Sequence, residues 1–198
     1  KNSELTLSLT QLLSPKHLIG FGYSVSQANG FLGSPYLYLY SNNITTFERL
    51  PESKYTAGFN LKGIHQLSDN LALHWQYNYA DNDWGNVAHT VDINSYYEVS
   101  KTNLLALHYR YYTQSAAFFE TAPERYTPSS AYIMVDYRYG AYSTNTFGIS
   151  DIHKLSETLT LKLSIDKYQT SDHHLIKLWN ETPNIEALFG SFSLSYAH

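Results

Sequence analysis

The sequence predicts an all-β fold: an antiparallel, up-and-down transmembrane β-barrel, to which this chain contributes about nine strands. Three observations carry that expectation. Leu71, Leu73, Trp75, Tyr77 and Tyr79 alternate with Ala72, His74, Gln76 and Asn78, giving one apolar and one polar face on an extended chain. Short polar turns and long decorated loops follow one another in strict alternation, as in bacterial barrels with periplasmic turns and extracellular loops. Finally, no run of about 18 apolar residues exists to form a membrane helix, although the chain has 19 Tyr, 9 Phe and 3 Trp. Strands that are apolar on one side only reconcile that aromatic content with a polar average.

The elements read in order as follows. Leu5, Leu7 and Leu9 alternate with Glu4, Thr6, Ser8 and Thr10, and the strand stops near Ser14-Pro15-Lys16. Ile19, Phe21, Tyr23 and Val25 oppose Gly20, Gly22, Ser24 and Ser26. The segment Asn29 to Lys54, rich in Gly, Pro, Tyr and Asn, is expected to be a long loop. Tyr55, Ala57, Phe59 and Leu61 form the next apolar face, closed by Ser68-Asp69-Asn70. The Leu71 strand ends in Asp81-Asn82-Asp83-Trp84-Gly85-Asn86, and Val91, Ile93 and Val99 share a face on its successor. After Ser100 to Asn103 come Leu105, Leu107, Tyr109 and Tyr111, then a loop from Ser115 to Ser130. Tyr132 to Leu155 reads either as one long strand with an irregular top or as a hairpin broken near Ser143-Thr144-Asn145. Leu159, Leu161, Leu163 and Ile165 follow the turn Ser156-Glu157-Thr158. The loop Ser171 to Asn184 leads to a last strand bearing Leu188, Phe192, Leu194 and Tyr196.

This pattern predicts that Leu5, Phe21, Phe59, Trp75, Ile93, Leu107, Leu161 and Leu194 face lipid. Tyr77, Tyr79, Trp84, Tyr109, Tyr111, Tyr112, Tyr137 and Tyr139 cluster near the outer ends of their strands, where an aromatic girdle belongs. A soluble β-sandwich also uses Tyr as a strand former, but does not require turns of alternating length. Taking Tyr137 to Leu155 as one strand gives roughly nine strands, whereas single-chain bacterial barrels have even numbers. Lys1 opens directly into a strand with no signal peptide. Residues 1–198 are therefore expected to be one barrel domain, the C-terminal portion of a larger barrel.

Several segments resemble a bacterial outer-membrane family known as domain of unknown function 3570: LTQLLSP (Leu9 to Pro15), GFLGSPY (Gly30 to Tyr36), DNDWGNVAHT (Asp81 to Thr90), LHYRYYTQSAAFF (Leu107 to Phe119) and DYRYGAYST (Asp136 to Thr144). They occur in the family's order and spacing and cover most of the chain. The resemblance implies an outer-membrane β-barrel about twice this long, of which this would be the C-terminal half. The ending Ser195-Tyr196-Ala197-His198 departs from the terminal aromatic that such proteins usually display. The family brings no established activity.

Candidate chemistry is sparse. A net charge of -4 offers no basic footprint for nucleic acid, and the absence of cysteine removes thiolate sites. Heights counted from the short turns predict an inward Asp92–Arg110 pair with Asn78, and below it His74, Asn94, His108 and Lys62. That network would either brace the barrel or form a constriction selecting solutes. Asp81, Asp83, His89 and Asp92 lie near one loop, but neither a calcium-loop spacing nor HExxH is present, and turn chemistry explains them more simply. His173-His174 reads as a solvated loop pair, and Ser115 lacks a GxSxG setting. No catalytic residue, metal site or cofactor is expected. The expected role is passage or scaffolding in the bacterial outer membrane, with lipid and lipopolysaccharide as surroundings. Two alternatives are a barrel that encases another envelope protein, such as a lipoprotein or multihaem cytochrome, and a surface hydrolase using Asp83, His89 or a loop serine.

Overall fold

A computed structural model describes residues 1–41, 44–120, 127, 129–171 and 185–197. Among these residues there are eleven strands: β1 (Asn2–Ser14), β2 (His17–Asn29), β3 (Tyr38–Ser41), β4 (Ile44–Phe47), β5 (Ser53–Ser68), β6 (Leu71–Asn82), β7 (Val87–Ser100), β8 (Asn103–Gln114), β9 (Tyr142–Lys154), β10 (Leu159–Ser171) and β11 (Glu186–Tyr196). Nine of them form one antiparallel sheet in the order β1-β2-β5-β6-β7-β8-β9-β10-β11, while β3 and β4 pair separately. Chain order and spatial order coincide within the large sheet, so every connection is an up-and-down one.

Two expectations are corrected here. The long loop before residue 54 contains the β3–β4 pair, in register from Tyr38 opposite Phe47 to Ser41 opposite Ile44. The strand expected from Tyr137 begins only at Tyr142, and Tyr137–Tyr139 is a single 3₁₀ turn. Alternation alone does not separate Tyr-rich loop from Tyr-rich strand.

Register decides which side chains share a face, because residues directly opposite in a ladder point the same way. A two-residue turn sets residues three apart opposite each other, so an even position would meet an odd one. Ser14 opposite His17, Ser68 opposite Leu71 and Ser100 opposite Asn103 begin in that way. In each hairpin the register then shifts by a β-bulge, between Leu12 and Ser14, Gln66 and Ser68, and Glu98 and Ser100. One extra residue on one strand restores even opposite even. In the nine-stranded sheet, beyond these bulges, the even-numbered positions from β1 to β10 therefore occupy one face and the odd-numbered ones the other. Only β11 is inverted, with Leu161 opposite Leu194.

The odd face is apolar and uncovered. Leu5 is 61% exposed, Phe21 48%, Leu107 52% and Leu194 55%. Among the described residues the buried hydrophobic ones are Leu39, Trp84, Ala117, Phe119, Ile133 and Met134, none of which belongs to the nine-stranded sheet. The water-excluding core thus sits in a layer of long connections at one end of the sheet. At the other end lie the short turns.

Both edge strands are open among the described residues, with no pairing between β1 and β11. The start of each lies at the long-connection end, Asn2 opposite Ala28 and Glu186 opposite Gln169. The two edges therefore run parallel to each other.

Candidate functional site

The polar face carries a charged cluster spread over β7, β8 and β10. Asp92 of β7 is directly opposite Arg110 of β8, with Nη1 3.7 Å from Oδ1. His108, one step along β8 on the same face, sets Nε2 3.6 Å from the same Asp92 oxygen. Its Nδ1 lies 3.8 Å from Asp166 Oδ1, two strands away on β10. That reach depends on Gly148 of β9, which lies opposite both His108 and Asp166. A Cβ there would collide with the Asp166 carboxylate, so glycine opens the path across β9. One imidazole thus lies between two carboxylates, and an arginine shares one of them. These are longer than hydrogen bonds, and Arg110 is half exposed, so the cluster acts as a field at the wall more than as a rigid clamp.

Amides continue the network toward β5. Asn60 Nδ2 donates to Asn78 Oδ1 at 2.8 Å, and Gln76 Nε2 donates to the same oxygen at 2.9 Å. Asn78 therefore belongs to this amide group and not to the Asp92–Arg110 pair, from which Gln76 separates it by standing opposite Asp92. Lys62 stands opposite Gln76, level with the charged pair and not below it, and its stem lies over Gly20. His74, Asn94 and His108 form a single row. All seven predicted polar residues share the even face. That face becomes apolar near the short turns, where Leu12, Leu18, Ile64, Leu104 and Ile152 appear.

The eight residues expected to meet lipid share the odd face. Trp75 is half-buried because its indole lies over Gly63 and donates from Nε1 to His65 Nε2 at 3.0 Å. His65 in turn approaches His17, Nδ1 to Nδ1, at 3.0 Å. The aromatic set divides. Tyr77, Tyr79, Tyr109 and Tyr111 are on the odd face, with Tyr79 stacked on Phe59 and the Tyr77 hydroxyl 2.7 Å from His89 Nδ1. Tyr112 is on the even face, beside Tyr142.

Trp84 is a correction. At 1% exposure it is no interfacial residue but the centre of the loop core, edge-on to Phe119 and Tyr139, with Nε1 donating to the Ser53 carbonyl at 2.8 Å. Tyr139 belongs to the same layer and not to a strand end; the Tyr137 side chain lies outside the described residues. Gly85 permits the turn beneath Trp84 with φ of +82°, in the left-handed region that favours glycine. Lys54 Nζ rests 4.9 Å from the centre of the Trp84 ring, a cation–π contact.

A buried carboxylate, unremarkable in the sequence, ties this layer together. Glu48 Oε1 accepts from the backbone N–H groups of Val135 (3.1 Å) and Asp136 (3.0 Å), and Oε2 from that of Ser34 (2.8 Å). Arg49 and Ile133 exchange backbone hydrogen bonds beside it at 2.9 and 2.8 Å. Asp136 is buried too, and Arg138 Nε donates to both its carboxylate oxygens at 2.9 Å. Burial works to raise the Asp136 pKa, but hydrogen bonds from the Arg138 side chain and backbone, with its charge, outweigh burial and hold it below the ordinary value. Burial, and then the negative charges of Asp136 and Glu48, push Tyr139 up.

Among the described residues, each hydrolase candidate is engaged by a partner that is not another candidate. Asp83 Oδ1 accepts from the Tyr55 N–H at 2.9 Å, and His89 is held by Tyr77 on the odd face. Ser115 Oγ donates to the Gly85 carbonyl at 2.9 Å and accepts from the Val87 N–H at 2.8 Å. Asp81 lies on the odd face while Asp92 is on the even one. His173 and His174 lie outside the described residues.

A family model described as "Protein of unknown function (DUF3570)" matches residues 1–196. No curated protein matches the chain. Among solved structures, outer-membrane expressed OmpT of Vibrio cholerae superposes with a TM-score of 0.68 at 11% identity, over 100% of this chain and 57% of that one. OmpT of Vibrio cholerae folded in vitro gives 0.65 at 11% identity, over 99% and 56% respectively. The chain thus spans little more than half the length of these structures, and at such identity the likeness is one of fold: the outer-membrane β-barrel fold.

Proposed function

The chain belongs to the DUF3570 family, and from that premise we propose that residues 1–198 are one domain forming part of the wall of a bacterial outer-membrane β-barrel. Its odd face meets lipid and its even face lines a polar lumen. The observation that carries this reading is the sheet's exposed odd face, the buried hydrophobic core of the described residues lying in the loop layer. Contiguous apolar surface of that extent is unfavourable in water and matched by hydrocarbon. The parallel edges add a second requirement. An odd number of further strands must intervene for the barrel to close antiparallel, and the partial coverage of the OmpT structures supports a larger ring.

The lumenal role is non-catalytic passage, with the Asp92–Arg110–His108–Asp166 cluster as the charged constriction. The engagement of Asp83, His89 and Ser115 with three different partners, none of them one another, supports this over surface hydrolysis. Selectivity in planar bilayers is the test. Arg110→Gln leaves two carboxylates and should move the reversal potential toward cation preference, whereas Asp92→Asn should move it toward anions. A conducting wild type whose reversal potential neither variant alters would sink the constriction.

A further inference from the structure

The odd face carries a recess that a uniform apolar wall would not have. Leu107, Tyr109, Phe147, Ile149 and Ile165 line a shallow depression of about 470 Å³, with Lys167 at its margin. Small residues flank it. Ser95 stands opposite Leu107, and in the same row Gly190 stands opposite Ile165 with nothing within 4 Å of where its Cβ would lie.

Three successive rows of the ladder fix where Lys167 sits relative to the apolar band. The lowest runs Leu107, Ile149, Ile165. The next runs Tyr109, Phe147, Lys167, Leu188. Above it, toward the long connections, stand Tyr111, Asn145, Gln169 and Glu186, where the face turns polar. Lys167 is thus at the boundary between apolar wall and polar rim, on the side of the extracellular loops. It is exposed, and among the described residues no carboxylate lies within ion-pair distance of it. Glu186, the carboxylate in the row above, accepts from Gln169 Nε2 at 2.8 Å. The Tyr109 hydroxyl donates to Asn145 at 3.0 Å, adding a polar edge beside the lysine.

From this arrangement we propose a binding site for one phosphorylated glycolipid of the outer leaflet, lipopolysaccharide. An acyl chain fills the recess between Leu107 and Ile165, and a lipid A phosphate meets Lys167. Charge complementarity selects this occupant: an ammonium at the interface attracts a phosphate, while the groove below accepts only hydrocarbon. The inference rests on the membrane-barrel reading above, which supplies the orientation.

Native mass spectrometry of the detergent-solubilised full chain should find diphosphorylated lipid A bound to the wild type. Lys167→Gln should reduce retention about fivefold and Lys167→Arg should restore it. Filling the recess by Ser95→Leu should also displace the lipid, and enzymatically dephosphorylated lipid A should bind the wild type about as weakly as lipid A binds Lys167→Gln. Equal retention by wild type, Lys167→Gln and Ser95→Leu would overturn the site, leaving Lys167 as a lysine that reaches water past the apolar wall. Binding that ignores the phosphates would overturn it as well. Heat-modifiable migration of the same preparations separates the two levels: wild type that fails to assemble defeats the barrel reading, and assembled protein without lipid defeats only the site.

Discussion

Leu107 and its neighbour Ala106 offer a test of which solvent each face meets, because they lie at one depth on opposite faces of β8. Leu107 is four residues beyond Asn103, the first residue of β8 after the short turn. At about 3.4 Å per residue and a tilt near 40°, that puts it roughly 10 Å above the turn, close to the midplane of an apolar band about 25 Å tall. Its neighbours across the ladder are Ser95 and Ile149, and the row from His17 to Gly190 holds no carboxylate to pair with an arginine. An arginine there should cost about 2–4 kcal/mol of folding free energy in a bilayer, or roughly 30- to 700-fold in the equilibrium. At Ala106, opposite Tyr96 and Ser150, the same arginine should enter an aqueous lumen. Its cost should be well under 1 kcal/mol, on the scale of a surface substitution.

The assay is reversible urea unfolding of wild type, Leu107→Arg and Ala106→Arg in phospholipid vesicles, with heat-modifiable migration as the assembly readout. The reasoning fails if the two arginines cost the same, because the argument concerns the difference between faces and not arginine itself. It also fails if Ala106→Arg is the damaging one, which would mean that the even face meets lipid.

The loop layer supplies two further predictions. Glu48→Ala removes the acceptor for three backbone N–H groups and should loosen the layer by about 1.5–3 kcal/mol; hydrogen exchange at Ser34, Val135 and Asp136 should then accelerate roughly 10- to 100-fold while β6 to β8 stay protected. Asp136 has a folded pKa below its unfolded value near 3.9, so the stability it lends is present above that value and disappears as pH falls through the folded one. Proteolysis of residues 129–141 should therefore rise on acidification below about pH 4 in the wild type. In Asp136→Asn it should be raised already at neutral pH and vary little with acid.

The strands were legible because each carries its own evidence. Leu71 to Tyr79 alternates without interruption, and the turns around Asp69 and Lys101 punctuate it with residues that leave a strand readily. Depth counted from those turns set Asp92 opposite Arg110, as the ladder does, and left the order of the residues below them open. It failed for Asn78 and Lys62 because neighbouring strands are staggered, so equal counts do not give equal rows. The bulges left no sequence mark, yet they keep even positions on one face across three hairpins. Loop structure was the least legible. Trp84 looks like a girdle residue since it follows an aromatic strand, and its burial comes from Phe119 and Tyr139, far away in the chain. Nothing local distinguishes Glu48 from a solvated loop carboxylate, because its three donors come from residues near 34 and 135.

That contrast implies two separate sources of order in one chain. The sheet depends on ladder hydrogen bonds and on a solvent for its odd face, since among the described residues its strands add no side chain to a water-excluding hydrophobic core. The loop layer has an aqueous-type core, with Ile133 and Met134 fully buried and buried carboxylates satisfied by backbone donors or arginine. Backbone contacts nevertheless join them: Asn86 Nδ2 donates to the carbonyls of Ser115 and Tyr139, and Trp84 to that of Ser53, at the ends of β8 and β5. Formation of the layer therefore requires the strand ends to be in register, whereas the middle of the sheet needs nothing from the layer. Damage at Leu107 should abolish both, while damage at Glu48 should free the loops and leave an inserted wall.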